Sequence, residues 1–151
     1  MGTTLTAVAT LGNDMVLGHI GDSRAYLFRD NNLTQLTKDH TVAQEMIDAG
    51  VSNGSDPHSR SMRHVLTAAL GSLGSRIQPE VQQRRLNLDD QLLLCTDGLT
   101  EMVDDKVIAS ILRNAQSANQ ACDELITIAL AAGGLDNVTV VLARFGSPRS
   151  T

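Results

Sequence analysis

The feature that most constrains this chain is a period-two alternation through its first third, cut by asparagine-rich turns. From Thr3 to Leu11, Leu5, Ala7, Ala9 and Leu11 fall on one side and mostly threonines on the other, which is strand periodicity. Met15 to Ile20 and Arg24 to Arg29 are further strand-like runs, followed by a short one at Leu33 to Thr37. Asn13-Asp14 and Asn31-Asn32 are the expected hairpin turns, since Asn tolerates positive φ. The spacing predicts an antiparallel meander.

Downstream the period changes. A helix is predicted from Thr41 to Ala49, with Thr41 and Gln44 as a capping box and Gly50 as its stop. Val51 to Ser61, polar and carrying Gly54 and Pro57, reads as a mobile loop, and Arg63 to Leu70 fits neither period. Glu80 to Leu88 is a predicted strand, and the apolar run Gln91 to Thr96 a buried central one. Two amphipathic helices follow. The first carries Val107, Ile108, Ile111, Leu112 and Ala115 behind a cap at Asp104 or Asp105. The second carries Cys122, Leu125, Ile126 and Ala129 behind a Ser117/Gln120 capping box, and Gly133-Gly134 stops it. Asn137 to Phe145 is a closing β-branched strand. Strands, then a helix pair, then a strand predict an α+β layered fold, and 151 residues suit one domain with a real core.

Composition narrows the partners. Aromatic residues make up 2% of the chain (Tyr26, Phe28, Phe145) and the net charge is −5. Neither a base-stacking platform nor a basic groove is available, so no nucleic-acid partner is expected. The longest apolar stretch, around Ile128 to Ala132, is far short of the roughly 20 residues a membrane span needs. No basic, secretory-type leader is visible at the N-terminus, so a cytoplasmic location is expected. Cys95 and Cys122 lie in apolar runs and read as buried thiols rather than a disulfide.

Three aspartates stand at the ends of predicted strands: Asp22 in HIGDSRAY, Asp97 in LLLCTDGL and Asp136 in GGLDNVTVV. A sheet holds such carboxylates rigidly while their oxygens project from its rim, which suits hard dications such as Mg²⁺ and Mn²⁺. Each motif alone reads equally as a turn. Their conjunction is specific, because MGTTL at Met1 to Leu5, GDSRAYL at Gly21 to Leu27, TKDH at Thr37 to His40, CTDGL at Cys95 to Leu99 and GGLDNVTVV at Gly133 to Val141 occur in this order. Asp97 follows Asp22 by 75 residues and Asp136 follows Asp97 by 39. With these motifs the sequence resembles the bacterial metal-dependent protein phosphatases, the type 2C serine/threonine phosphatases, over practically its whole length.

The resemblance implies an antiparallel β-sandwich flanked by helices with a Mn²⁺ or Mg²⁺ cluster at one end. It implies that Asp97 and Asp136 hold the binuclear centre and that Asp22 and Asp97 share a third, weaker ion. Gly98 and Asn137 are then neighbours of the metal site. Arg24 either approaches a phosphate or pairs with Asp22 or another carboxylate. The implied reaction is hydrolysis of phosphoserine or phosphothreonine in a phosphoprotein substrate by metal-activated water, with no phosphoenzyme.

Relatives of this kind open with an Asp-Gly-Met-Gly-Gly-His type motif and an upstream phosphate-binding Arg, whereas this chain starts at the Met of MGTT. The expectation is an N-terminally truncated, incomplete domain over residues 1–151. Such a chain binds Mn²⁺ weakly and hydrolyses little alone, and it self-associates or pairs with a chain supplying the missing strands. The competing readings are a truncated, non-catalytic pseudophosphatase that works through partners, and a start assigned downstream of the true one. Near the loop, the family's LTRALG appears as Leu66-Thr67-Ala68-Ala69-Leu70-Gly71, with Ala68 in place of the arginine, and His64 stands where Asn is frequent. That region resembles the flap that helps select substrate. His19 reads as structural, His40 as orienting the following helix, and neither His58 nor His64 is assigned to a metal.

Overall fold

The computed structural model describes residues 2–71 and 79–146, so Met1 of the opening motif lies outside the described residues. Strand β1 (Leu5–Leu11) pairs antiparallel with β2 (Asp14–Ile20), and β3 (Arg24–Arg29) pairs with β4 (Asn32–Gln35). Both hairpins turn one residue earlier than the asparagine pairs predict. Leu11 faces Asp14 across Gly12-Asn13, and Arg29 faces Asn32 across Asp30-Asn31. Asp30 and Asn31 sit at φ 50° and 63°, the left-handed pair of a type I′ turn whose twist matches the strands.

The expected meander is in fact divided between two sheets. Strands β2 and β3 do not pair. Instead β2 pairs with β5 (Glu80–Arg85), and β3 pairs with β6 (Gln91–Cys95), which also takes β7 (Val140–Arg144). The sheets run β1-β2-β5 and β4-β3-β6-β7. The crossing falls at Gly21, whose φ of 111° and closeness to the Thr4 side chain leave no room for a Cβ. Gly21 and His40 exchange hydrogen bonds: His40 N–H donates to Gly21 O at 2.8 Å, and Gly21 N–H donates to His40 Nδ1 at 3.0 Å. His40 thus anchors the crossing rather than the following helix. Its ring stacks on buried His19, centroids 5.0 Å apart.

The two faces of β3 and β6 explain their nearly continuous apolar sequences. Ala25, Leu27 and Leu92 point between the sheets, against Met15, Leu17 and Leu36. Tyr26, Phe28 and Leu93 point the other way, onto Ile108, Leu112 and Leu125 of two helices. Among the described residues those helices are the last two of five: α1 (Val42–Asp48), α2 (Pro57–Ser61), α3 (Asp97–Thr100), α4 (Asp105–Asn114) and α5 (Ala118–Ala131). The layers are therefore sheet, sheet and helix pair, an α+β sandwich as the motifs imply.

Local capping is half as expected. Thr41 Oγ1 accepts from Gln44 N and Ser117 Oγ from Gln120 N, at 3.2 and 3.1 Å. The return bonds go elsewhere: Gln44 reaches Asp48, and Gln120 accepts from Gln116 N. Asp104 occupies the cap position of α4 without a side-chain cap bond. Within the predicted loop, Asp56 caps the short α2 by accepting from Ser59 N at 2.8 Å. The segment after it is tied down by isolated bridges, Leu66 to Thr41 and Leu70 to Thr3. In β1 the inner face belongs to Thr6 and Val8, which are half-buried, while Leu5, Ala7, Ala9 and Leu11 face out. The apolar stripe of that strand is an outer surface. Cys95 is buried, Cys122 half-buried, and both are free thiols; burial pushes Cys95 up to about 12.

Candidate metal centre

The acidic residues gather where the strands of the two sheets end. Asp22 sits in the crossing between β2 and β3, directly after Gly21. Asp97 opens α3 immediately beyond β6, with Thr96 as the cap residue. Both line one cavity of about 210 Å³ together with Arg24, Asp39, Arg63, Thr100 and Glu101. Burial raises the Asp22 carboxyl above its usual value, and the neighbouring Asp97 charge raises it further. Two carboxylates meeting in one cavity are a natural seat for a dication.

Asp136 arrives by a different route. It lies exposed in the turn before β7 and is not part of that cavity lining; its Oδ1 accepts from Asn137 N at 2.6 Å. The turn is nevertheless locked to Asp97's neighbours. Thr96 Oγ1 donates to Asn137 O at 3.1 Å and accepts from Thr139 N at 3.0 Å, while Thr96 N donates to Thr139 O. Gly98 is needed for this approach, since a Cβ there would overlap Asn137 O and lie 3.1 Å from its carbonyl carbon. Gly98 and Asn137 thus hold the two segments in register.

Arg24 resolves in favour of a carboxylate, and the partner is Asp39. Its guanidinium donates to both Asp39 oxygens, at 2.9 Å from Nε and 2.6 Å from Nη2, and Nη1 reaches Tyr26 Oη at 3.2 Å. This bidentate geometry occupies the fork that a phosphate would need.

Two residues that sequence reasoning did not assign join the site. Glu101 stands four residues after Asp97, one turn along the same helical stretch, so the spacing in DGLTE was a readable signal. His64 approaches from the segment after α2, and its Nδ1 lies 3.4 Å from Glu101 Oε1. The donor atoms of His64, Asp97 and Glu101 all lie within 4.8 Å of one another. Asp22, Asp97 and Glu101 line the same cavity, and carboxylate oxygens are the donors that suit Mn²⁺ or Mg²⁺.

A larger hollow of about 620 Å³, lined by Leu88, Arg113, Arg144 and Phe145, lies at the opposite end of β6. Its arginines are already engaged, Arg113 on Asn31 and Arg144 on Gln91 and Ala115. Among the described residues it gathers no convergent acidic set. The carboxylate end is the stronger chemical candidate.

Comparison with known proteins gives the family. A family described as protein phosphatase 2C matches residues 1–133. The serine/threonine protein phosphatase PstP of Mycobacterium tuberculosis is 45% identical over 143 residues, covering 95% of this chain and 27% of that protein. A crystal structure of M. tuberculosis PstP superposes with TM-score 0.88 at 42% identity, over 97% of this chain and 61% of that one. A PstP catalytic domain in complex with two manganese ions superposes with TM-score 0.82 at 42% identity, over 96% and 60%. The chain spans between 27% and 57% of the length of the curated relatives it matches.

Proposed function

Because the chain belongs to the protein phosphatase 2C family, we propose that it carries the metal end of a phosphoserine/phosphothreonine phosphatase acting on phosphoproteins. The observation that carries this reading is the meeting of Asp22 and Asp97 in one cavity, with the Asp136 turn locked onto Thr96 and Gly98 beside it. Asp97, Asp136 and Asp22 are the proposed ligands of Mn²⁺ or Mg²⁺. When bound, such ions activate water for in-line attack on phosphorus and neutralise the charge that develops there. The support for Asp97 is its position at the start of α3 directly after the buried strand β6, where the sheet restrains its backbone. Asp22 brings a second negative charge from the sheet crossing, and Arg24, committed to Asp39, positions that crossing instead of binding substrate.

A binuclear site demands more anionic ligands than Asp97 and Asp136 supply between them. Catalysis by these 151 residues alone is therefore proposed to be weak or absent. The test is hydrolysis of p-nitrophenyl phosphate and of a phosphothreonine peptide by the purified chain with Mn²⁺, alongside manganese binding by calorimetry. Weak manganese binding and near-background turnover are expected, both lost in Asp97→Asn. Robust turnover abolished by Asp97→Asn would refute the weak-alone clause, and turnover that survives Asp97→Asn would refute the assignment of the site.

One observation favours a second reading, a self-associating or partner-binding module. The outer face of β1-β2-β5 exposes Leu11 at 85%, Leu5 at 49%, Val16 at 41% and Val81 at 63%, an apolar surface of the kind that marks an interface. Sedimentation velocity tests it. Concentration-dependent association lost in Leu11→Lys/Val16→Lys is the expected result, and a stable monomer at high concentration counts against it. Among the described residues, no helix is long and apolar enough to cross a membrane.

A further inference from the structure

We propose that His64, Asp97 and Glu101 form a nitrogen-containing dication site, selective for a borderline first-row metal such as Zn²⁺ or Co²⁺ over Mg²⁺. The inference shares Asp97 with the reading above and goes beyond it by assigning an imidazole ligand and a metal preference.

Three observations carry it. First, the three side chains come from two separate stretches of chain yet place their donor atoms within 4.8 Å of one another. Donors about 2.0–2.2 Å from an ion are about 3.0–3.5 Å apart on adjacent coordination positions, and the 3.4 Å between His64 Nδ1 and Glu101 Oε1 has that spacing. Second, the backbone around His64 is fixed from both sides. Val65 N donates to Met62 O, Val42 N to Val65 O and Thr67 N to His40 O, so the ring is delivered to α3 by a hydrogen-bonded frame. Third, the charge balances. A neutral imidazole with two carboxylates carries −2, matching one dication, and Asp22 adds negative charge from the same cavity. His64 is 60% exposed and Glu101 23%, which leaves water to complete the coordination.

The imidazole decides the selectivity. Magnesium prefers oxygen and keeps its waters, whereas zinc and cobalt accept a nitrogen ligand. Two other histidines are already engaged: His19 at both ring nitrogens, with Thr6 and Lys38 O, and His40 Nδ1 with Gly21.

The test is metal binding by the full 151-residue chain, read without any phosphoester. Imidazole ¹⁵N resonances are followed during titration with ZnCl₂ and, separately, MgCl₂, and affinities are measured by calorimetry for the wild type, His64→Ala and Glu101→Gln. Zinc is expected to move the His64 nitrogens and leave those of His19 and His58 in place, while magnesium moves none. His64→Ala should lower zinc affinity at least about tenfold and leave magnesium affinity within about twofold; Glu101→Gln should weaken both. His64 nitrogens unmoved at saturating zinc, or zinc affinity unchanged in His64→Ala, would mean an ion pair to Glu101 only and overturn the inference. The wild-type resonance reading stands whether or not a variant folds. A chain that hydrolyses nothing yet shows these shifts leaves the inference intact, and a metal-dependent hydrolase without them overturns it alone.

Discussion

Substituting Gly98 by Ala isolates the contact that brings the two proposed ligand segments together. The glycine lies in α3 with the Asp136-Asn137 turn packed over it, so a Cβ meets Asn137 O, with the Asn137 and Asp136 carbonyl carbons 3.1 and 3.5 Å away. Backbone cannot swing aside as a side-chain tip can. The turn must retreat by about 1 Å to restore van der Waals distance, stretching the 3.1 Å and 3.0 Å bonds that Thr96 Oγ1 makes to Asn137 and Thr139. Overpacking of this kind costs about 1–3 kcal/mol, or a Tm lower by roughly 3–9 °C for a chain of this size. Manganese affinity should fall in parallel, because Asp136 moves with the turn. The control is Gly18→Ala in β2, where a Cβ meets nothing within 4 Å and φ is not positive. There the loss of glycine's backbone freedom should leave stability unchanged or raise it by up to about 1 kcal/mol. Thermal unfolding and manganese calorimetry on both variants check the pair. If Gly98→Ala matches the wild type in Tm and in affinity, the close approach does not position Asp136 and the argument fails.

Three further outcomes follow from other contacts. Asp90 is 1% exposed and accepts from Arg29 Nε and Nη2 at 2.8 and 2.6 Å and from Asn87 N at 2.7 Å; with Arg29 one-third exposed, Asp90→Asn should cost about 2–3 kcal/mol at pH 7 in urea unfolding, less than breaking a fully buried pair. Arg29 holds the Asp90 carboxyl below its usual value, so this stability is present above about pH 4, is lost as pH falls further, and the acid limb should flatten in the variant. His19 is pulled below its ordinary value by burial and then by His40; the neutral ring is favoured in the fold, so the wild type should lose stability as pH falls through about 6.5, a drop that His19→Gln removes. Thr96→Val deletes both hydroxyl bonds to the 137–139 turn and should cost about 1–2 kcal/mol, with a larger relative loss in manganese affinity than an unrelated surface Thr34→Val.

What the sequence by itself determined is short-range. Period-two alternation located β1, short strand-like and apolar runs located β2 to β4 and β6, and the Ser117 and Thr41 caps depend on hydroxyls only three residues from their targets. The ordered motifs named the family and placed Asp22 and Asp97 correctly at strand ends. Tertiary structure decided what depends on partners distant in the chain. Whether β2 joins β3 or β5 is a choice between a local turn and a pairing some 60 residues away, and Gly21, by turning the chain at φ 111°, routes the strands into opposite sheets. The same separation explains β1: its alternation predicts two faces, but only the position of the second sheet makes the Thr6 and Val8 side the inner one. It also explains why Arg24 was ambiguous until Asp39 lay across from it, and why His64 gave no sign of joining Asp97 and Glu101. Periodicity is a property of neighbours along the chain, whereas a metal site is a convergence in space, set by where the folded core carries each segment.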